Sequence, residues 1–192
     1  MGLFDTILGR SKPVKPNLDE LFALPSAAVT LQAAADLRPT GCGSVCVKSA
    51  EGGAFAGLRE QIEQLLAVDA DDGNRKYGET TDSYGFSWLT RNTSPEDITG
   101  LVTDLHAVNS SLDEAGFGPA LLCTLVAFGG GDAPTFGLVY LYKRGTWYPF
   151  APTGPNRRDN ARELQVRAML GDDLKVESDL SRWFPVWGAP GL

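Results

Sequence analysis

LLCTLVAFGGGDAPTFGLVYLYKRGTWYPF, residues 121–150, is the stretch whose reading decides the fold. From Leu121 to Phe128 both alternating sets of positions are apolar, with only Thr124 interrupting, so the segment reads as a strand buried on both faces. Gly129, Gly130, Gly131, Asp132, Ala133 and Pro134 carry turn chemistry, which lets Phe136–Lys143 fold back antiparallel. Arg144 and Gly145 permit a second reversal into Thr146–Phe150. Pro149 removes a ladder donor there and predicts a strand end or a sheet edge. The expectation is a three-stranded antiparallel meander at the centre of the protein.

Upstream of the meander, Ser94, Pro95, Glu96 and Asp97 mark a helix start, with the hydroxyl of Ser94 as the expected cap. Ile98, Leu101, Val102, Leu105, Val108 and Leu112 then keep a 3.6-residue stripe until Gly116. Asn109 falls inside that stripe, either satisfying neighbouring backbone or lining a ligand crevice. His106 sits on its flank, with neither an orienting group nor a nucleophile evident beside it. Lys76–Asp82 and Tyr84–Thr90 read as strands, the second carrying Phe86 and Trp88 on one face. A helix is predicted after Gly52 and Gly53, with Phe55, Leu58, Ile62, Leu65 and Leu66 as its core stripe. Between these, Asp69–Asn74 only superficially resembles a calcium loop, because the sixth and twelfth places hold Asn74 and Thr80.

Further upstream, Val29–Leu37 and Gly43–Lys48 read as strands, with Pro39, Thr40 and Gly41 as the turn of a first hairpin. Leu18–Leu24 reads as a short helix capped by Asn17 and stopped by Pro25. Ser11–Asn17, with Pro13 and Pro16, is an extended linker. Ahead of it, Leu3, Phe4, Ile7 and Leu8 form one apolar face of a two-turn helix, too short to hold alone. That segment docks on this domain, on a partner or on a membrane surface aided by Arg10, Lys12 and Lys15. The letters M-G-x-x-x-T match an acylation pattern at Gly2 but are too short to carry weight.

After the meander a final helix is expected near 158–170. Lys143, Arg144, Arg157, Arg158 and Arg162, with Asn160 among them, are the local concentration of positive charge in a chain of net charge -7. They either hold an anion or an acidic partner surface, or pair with Asp159 and Glu163. Tyr140 and Tyr142, with Asn109, are the candidates to line a pocket beside them. Trp183, Phe184 and Trp187 near the end must pack back on the body or bury in a partner.

The acidic balance argues against general nucleic-acid binding. The chain has 192 residues, 43% of them hydrophobic, enough for one sizeable core. The expected organisation is therefore an N-terminal segment and linker over 1–16 and a single α+β domain over 17–192. No apolar run approaches a membrane span and no signal peptide is evident, so a cytoplasmic location is expected, with peripheral contact to the inner face of a membrane through the N-terminus. Cys42, Cys46 and Cys123 read as ordinary core thiols: Cys42 and Cys46 on one strand would lie about 13 Å apart, too far for a disulfide. No metal, no cofactor and no catalytic group is expected. G-x-S-x-G, Walker A, H-E-x-x-H and dinucleotide fingerprints do not occur. The fold class expected is α+β, mainly antiparallel sheet with about three helices packed chiefly on one face.

MGLFDTILGR with KPNLDELFALPSAA, DLHAVNSSLDEAGFGP, VYLYKRGTWYPFAPTG with RRDNARELQ, and DLSRWFPVWGAPGL together resemble the actinobacterial PspA-associated PspAB family over nearly the whole chain. The resemblance implies a cytosolic accessory factor of the PspA envelope-stress system, encoded near an HtpX-like membrane metalloprotease. PspA or that protease is then the expected protein partner. It brings no assigned active site with it.

Overall fold

The computed structural model describes residues 17–48, 53–67, 76–131 and 133–192. The expected N-terminal helix with Leu3, Phe4, Ile7 and Leu8, the linker to Pro16, and the acidic loop over 69–74 lie outside the described residues.

A 3-10 turn over Leu18–Ala23 leads into α1, Leu24–Ala35. β1, Arg38–Lys48, is followed by α2, Gly53–Ala67, and then by β2, Lys76–Thr81, and β3, Phe86–Asn92. α3 spans Ile98–Leu112. The meander is β4, Leu121–Gly130, β5, Ala133–Leu141, and β6, Thr146–Phe150. A small hairpin of β7, Pro152–Gly154, and β8, Arg157–Arg158, precedes α4, Asn160–Leu170. Six strands form one sheet in the order β2-β3-β1-β4-β5-β6, every pair antiparallel. The fold is α+β, and β6 with Pro149 is one edge strand of the six, β2 being the other.

Two layers cover the sheet. On one face, Leu24, Ala27, Ala28 and Leu31 of α1, Ile62 and Leu66 of α2, Leu101, Leu105 and Leu112 of α3, and Val166 and Leu170 of α4 meet Val45, Val47, Val126, Phe128, Phe136 and Trp147. On the other, Trp88, Cys46, Cys123, Leu125, Val139, Tyr148 and Phe150 are covered by the C-terminal segment through Trp183, Val186, Trp187 and Ala189. The helices thus share one face, and an extended strap closes the second.

Five expectations need correction. The predicted strand Val29–Leu37 is the body of α1, whose buried Leu24, Ala27, Ala28 and Leu31 stand at i, i+3, i+4 and i+7. Val29 and Thr30 are β-branched, but the flanking alanines, the best helix formers, decide the segment. Pro25 does not stop a helix; it occupies the first turn of α1, where its missing N–H is harmless. Pro39, Thr40 and Gly41 are not a hairpin turn but lie inside β1, which pairs with β3 on one side and β4 on the other. Finally, α3 begins at Ile98, three residues late, because Ser94–Asp97 closes its own turn and Asp97 is the cap, accepting from Gly100 N at 3.0 Å. Leu65 is also misplaced in the α2 stripe, being 49% exposed.

Candidate functional site

A groove of about 660 Å³ lies on the second face of the sheet, beneath the strap. It runs across the strands at one end of the sheet. Phe86 and Trp88 of β3, Cys46 of β1, Leu122 and Cys123 of β4, Leu141 of β5 and Tyr148 of β6 form its floor. Phe184, Pro185, Val186 and Trp187 of the strap make its outer wall. Asp82 and Tyr84, from the turn joining β2 to β3, close one end; Lys143 and Arg144, from the turn joining β5 to β6, stand with Arg182 at the other.

The floor has no free hydrogen-bonding group to offer. Cys46 and Cys123 are paired in register, and the neighbouring Cys123 thiol together with burial pushes the Cys46 thiol far up. Trp88 Nε1 donates to Asp82 Oδ2 at 3.0 Å, and Tyr148 Oη donates to Phe184 O at 2.8 Å. Asp82 Oδ1 accepts from the backbone of Tyr84 at 2.8 Å and of Phe86 at 3.0 Å. Burial would raise this carboxyl, but those donors outweigh it and hold it below its ordinary value, so it stays charged at neutral pH.

The strap is fastened at several points. Trp183 is buried, stacks on Tyr148 with ring centroids 6.0 Å apart, and donates Nε1 to Glu177 O at 3.0 Å. Trp187 packs edge-on against Phe150 at 5.0 Å. Between these two anchors Phe184 is 58% exposed. Of the three terminal aromatics, two therefore pack back on the body and one is displayed.

The positive residues do not form one open cluster. Arg158 bonds Glu163 through Nε at 2.8 Å and Trp183 O at 2.7 Å, with its guanidinium over the Phe150 ring. Arg162 donates to Pro134 O at 2.5 Å and lies over Phe136. Both serve the fold, tying α4 and the strap to the sheet. Asp159 is not an arginine partner but the cap of α4, accepting from Arg162 N. Arg157 and Asn160 are exposed. Arg144 bonds Glu177 at 2.5 Å, while the exposed Lys143 donates to Pro119 O at 2.8 Å.

Asn109, Tyr140 and Tyr142 lie apart from the groove, on the helical side. Asn109 is fully buried and donates Nδ2 to Leu105 O and Thr124 Oγ1, both at 2.8 Å. It joins α3 to the strand it crosses. Tyr140 Oη donates to Asn17 O at 2.6 Å, and burial pushes its phenol up to about 12. Tyr142 is buried, and burial together with the Asp113 carboxylate beside it raises its phenol well above the ordinary value. His106 stands 3.8 Å from the exposed Asp19 carboxylate and packs against Phe22.

The groove residues Cys46, Tyr84, Trp88, Leu122, Leu141 and Arg182 escaped the sequence reading of a site. The one signal for them was the shared face of Phe86 and Trp88, since nothing local says that the chain end returns over these strands.

Residues 1–191 match the family model described as PspAB, PspA associated protein B. The chain belongs to this family. No curated protein and no solved structure matches it. The match to PspAB spans every element described above, from the helical layer to the strap that forms the groove's outer wall. Among the described residues no helix is long and apolar enough to cross a membrane.

Proposed function

We propose that this PspAB-family chain is a non-enzymatic accessory protein that acts by direct contact with PspA in a cytoplasmic envelope-stress system. An HtpX-like membrane protease is a further contact implied by the sequence resemblance. The description of the family supplies the partner, and one observation supports the mode. Phe184 is exposed on a strap clamped by Trp183 and Trp187. An aromatic held in place on both sides loses little conformational freedom on docking, which favours a binding anchor. Lys143 and Arg157, exposed on the β5–β6 turn and the β7–β8 hairpin, add charge to an otherwise acidic surface. Residues 17–192 act as a single domain in this reading. Residues 1–16, with Leu3, Phe4, Ile7 and Leu8, serve as a tether to the partner or to the inner face of the membrane.

Affinity for purified PspA is the test, measured on the full chain, on Phe184→Ala and on a chain lacking residues 1–16. Loss of a central aromatic anchor is expected to cost about 2 kcal/mol, roughly thirtyfold in Kd. Unchanged capture by Phe184→Ala removes the strap as the contact, and no capture by the full chain removes the reading.

A further inference from the structure

We infer that the groove beneath the C-terminal strap binds a long-chain acyl anion, with its hydrocarbon tail along the floor and its acidic head at the end held by Lys143, Arg144 and Arg182. This goes beyond partner contact and concerns the isolated chain.

Shape comes first. The groove crosses from β3 to β6 over β1, β4 and β5. Four inter-strand steps of roughly 4.8 Å give a track of about 19 Å. Its volume of about 660 Å³ falls among ordinary small-ligand sites. A track that crosses five strands suits an extended linear molecule better than a compact one.

The floor selects for hydrocarbon. The polar groups along it are already engaged, Trp88 with Asp82 and Tyr148 with the Phe184 carbonyl, while Cys46 and Cys123 pair in register and the Cys46 thiol stays protonated. A polar ligand would lose its water there without finding a partner, whereas an alkyl chain loses nothing.

The ends differ in charge. Three cations and one carboxylate line the groove, and they stand apart: Asp82 at the β3 end, Lys143, Arg144 and Arg182 at the β6 end. Arg144 and Arg182 commit Nε to Glu177 and Asp179, and the remainder of each half-exposed guanidinium faces solvent. Lys143 has no carboxylate partner among the described residues. An acidic head is therefore attracted at one end and repelled at the other, which fixes the direction of the tail. A carboxylate or a phosphate meets the same donors. The head chemistry is shared by free fatty acids and lysophospholipids.

Titration calorimetry on the full-length chain tests this, with palmitate below its micellar concentration, lysophosphatidylglycerol, and dodecyltrimethylammonium as a cationic amphiphile. Trp88 in the floor and Trp187 in the outer wall give a second readout by fluorescence. Saturable one-to-one binding of at least one acyl anion is expected, with the cationic amphiphile weaker by tenfold or more. The preferred anion identifies the source, free acid or lysolipid. Lys143→Glu, at an exposed residue, is expected to raise Kd about tenfold. Leu122→Trp, which fills the floor, is expected to abolish binding while thermal melting confirms that the variant folds. A flat titration with both acyl anions overturns the inference. So does equal binding of the cationic amphiphile, an unchanged Kd in Lys143→Glu, or capture by phosphatidylglycerol vesicles without binding of the monomeric anions. PspA takes no part in this experiment, so failure here leaves the contact reading standing, and failure of PspA capture leaves this one.

Discussion

Three buried or half-buried ion pairs show how individual residues hold the layers together. Arg91, 2% exposed, bonds Asp104 at 2.7 Å and the carbonyl of Leu66 at 3.2 Å, linking β3 to α3 and α2. Glu163 joins Arg158 to the backbone N–H of Ala151. Glu177 accepts from Arg144, from Thr146 Oγ1 at 3.0 Å and from Asp179 N at 3.1 Å. Burial alone would raise the Glu177 carboxyl, but these donors outweigh it and hold the group below 4.5. A lowered folded-state pKa means that the ionised form stabilises the fold. That contribution is complete above the unfolded value near 4.5 and is lost as pH falls through the lower folded value. The urea midpoint of the wild type should therefore drop on acidification below 4.5 more steeply than that of Glu177→Gln. Parallel curves for the two would refute the assignment.

At the scale of elements, β1 is the piece that makes a single sheet from two hairpin systems. It inserts between β3 and β4 and must change partners' register along its length. The larger of two shifts falls between Pro39 and Gly43, where four residues of β1 span two of β4; a smaller one follows between Cys46 and Val47. Thr40 Oγ1 bonds the carbonyl of Ala127 and the N–H of Cys42, repairing part of the broken ladder. Gly41 takes φ +81°, and a Cβ built there would sit 2.3 Å from Thr93 O. That carbonyl contact is backbone and cannot swing away, so the position requires glycine on two independent grounds. Gly41→Ala should destabilise the protein by roughly 2 kcal/mol in chemical denaturation, through strain and the displaced bulge. An unaltered midpoint would show that the bulge relaxes freely.

For the whole molecule, the sheet is buried on one side by four helices and on the other by a ten-residue strap with little regular structure of its own. Trp183 is the strap's main fixing: it fills space against Tyr148, bonds Glu177 O, and its own carbonyl accepts from Arg158. Trp183→Ala should cost about 3–5 kcal/mol, the usual range for removing a buried tryptophan. It should also open the groove, so that the bound-state fluorescence change and the acyl-anion affinity fall together. Denaturation and titration of the same variant check both parts.

The meander, the β2–β3 hairpin and the amphipathic helices α2 to α4 were legible in the sequence because each rests on a local pattern: alternation, turn residues, a cap or a 3.6-residue stripe. α1 was misread where two β-branched-looking positions, Val29 and Thr30, sat within a run that alanine propensity decides. The pairing of β1 with both β3 and β4 was not legible, since a bulge and a turn share the same Pro-Thr-Gly vocabulary. The site was legible only in fragments. Trp183, Phe184 and Trp187 stood out as aromatic area needing a cover, and Lys143 and Arg144 as charge, but neither composition nor spacing says that they meet Trp88 and Cys46 across the sheet. Local physics follows from neighbours in the chain and can be read along it. The groove follows from which sheet face the last ten residues return to, and only long-range packing sets that.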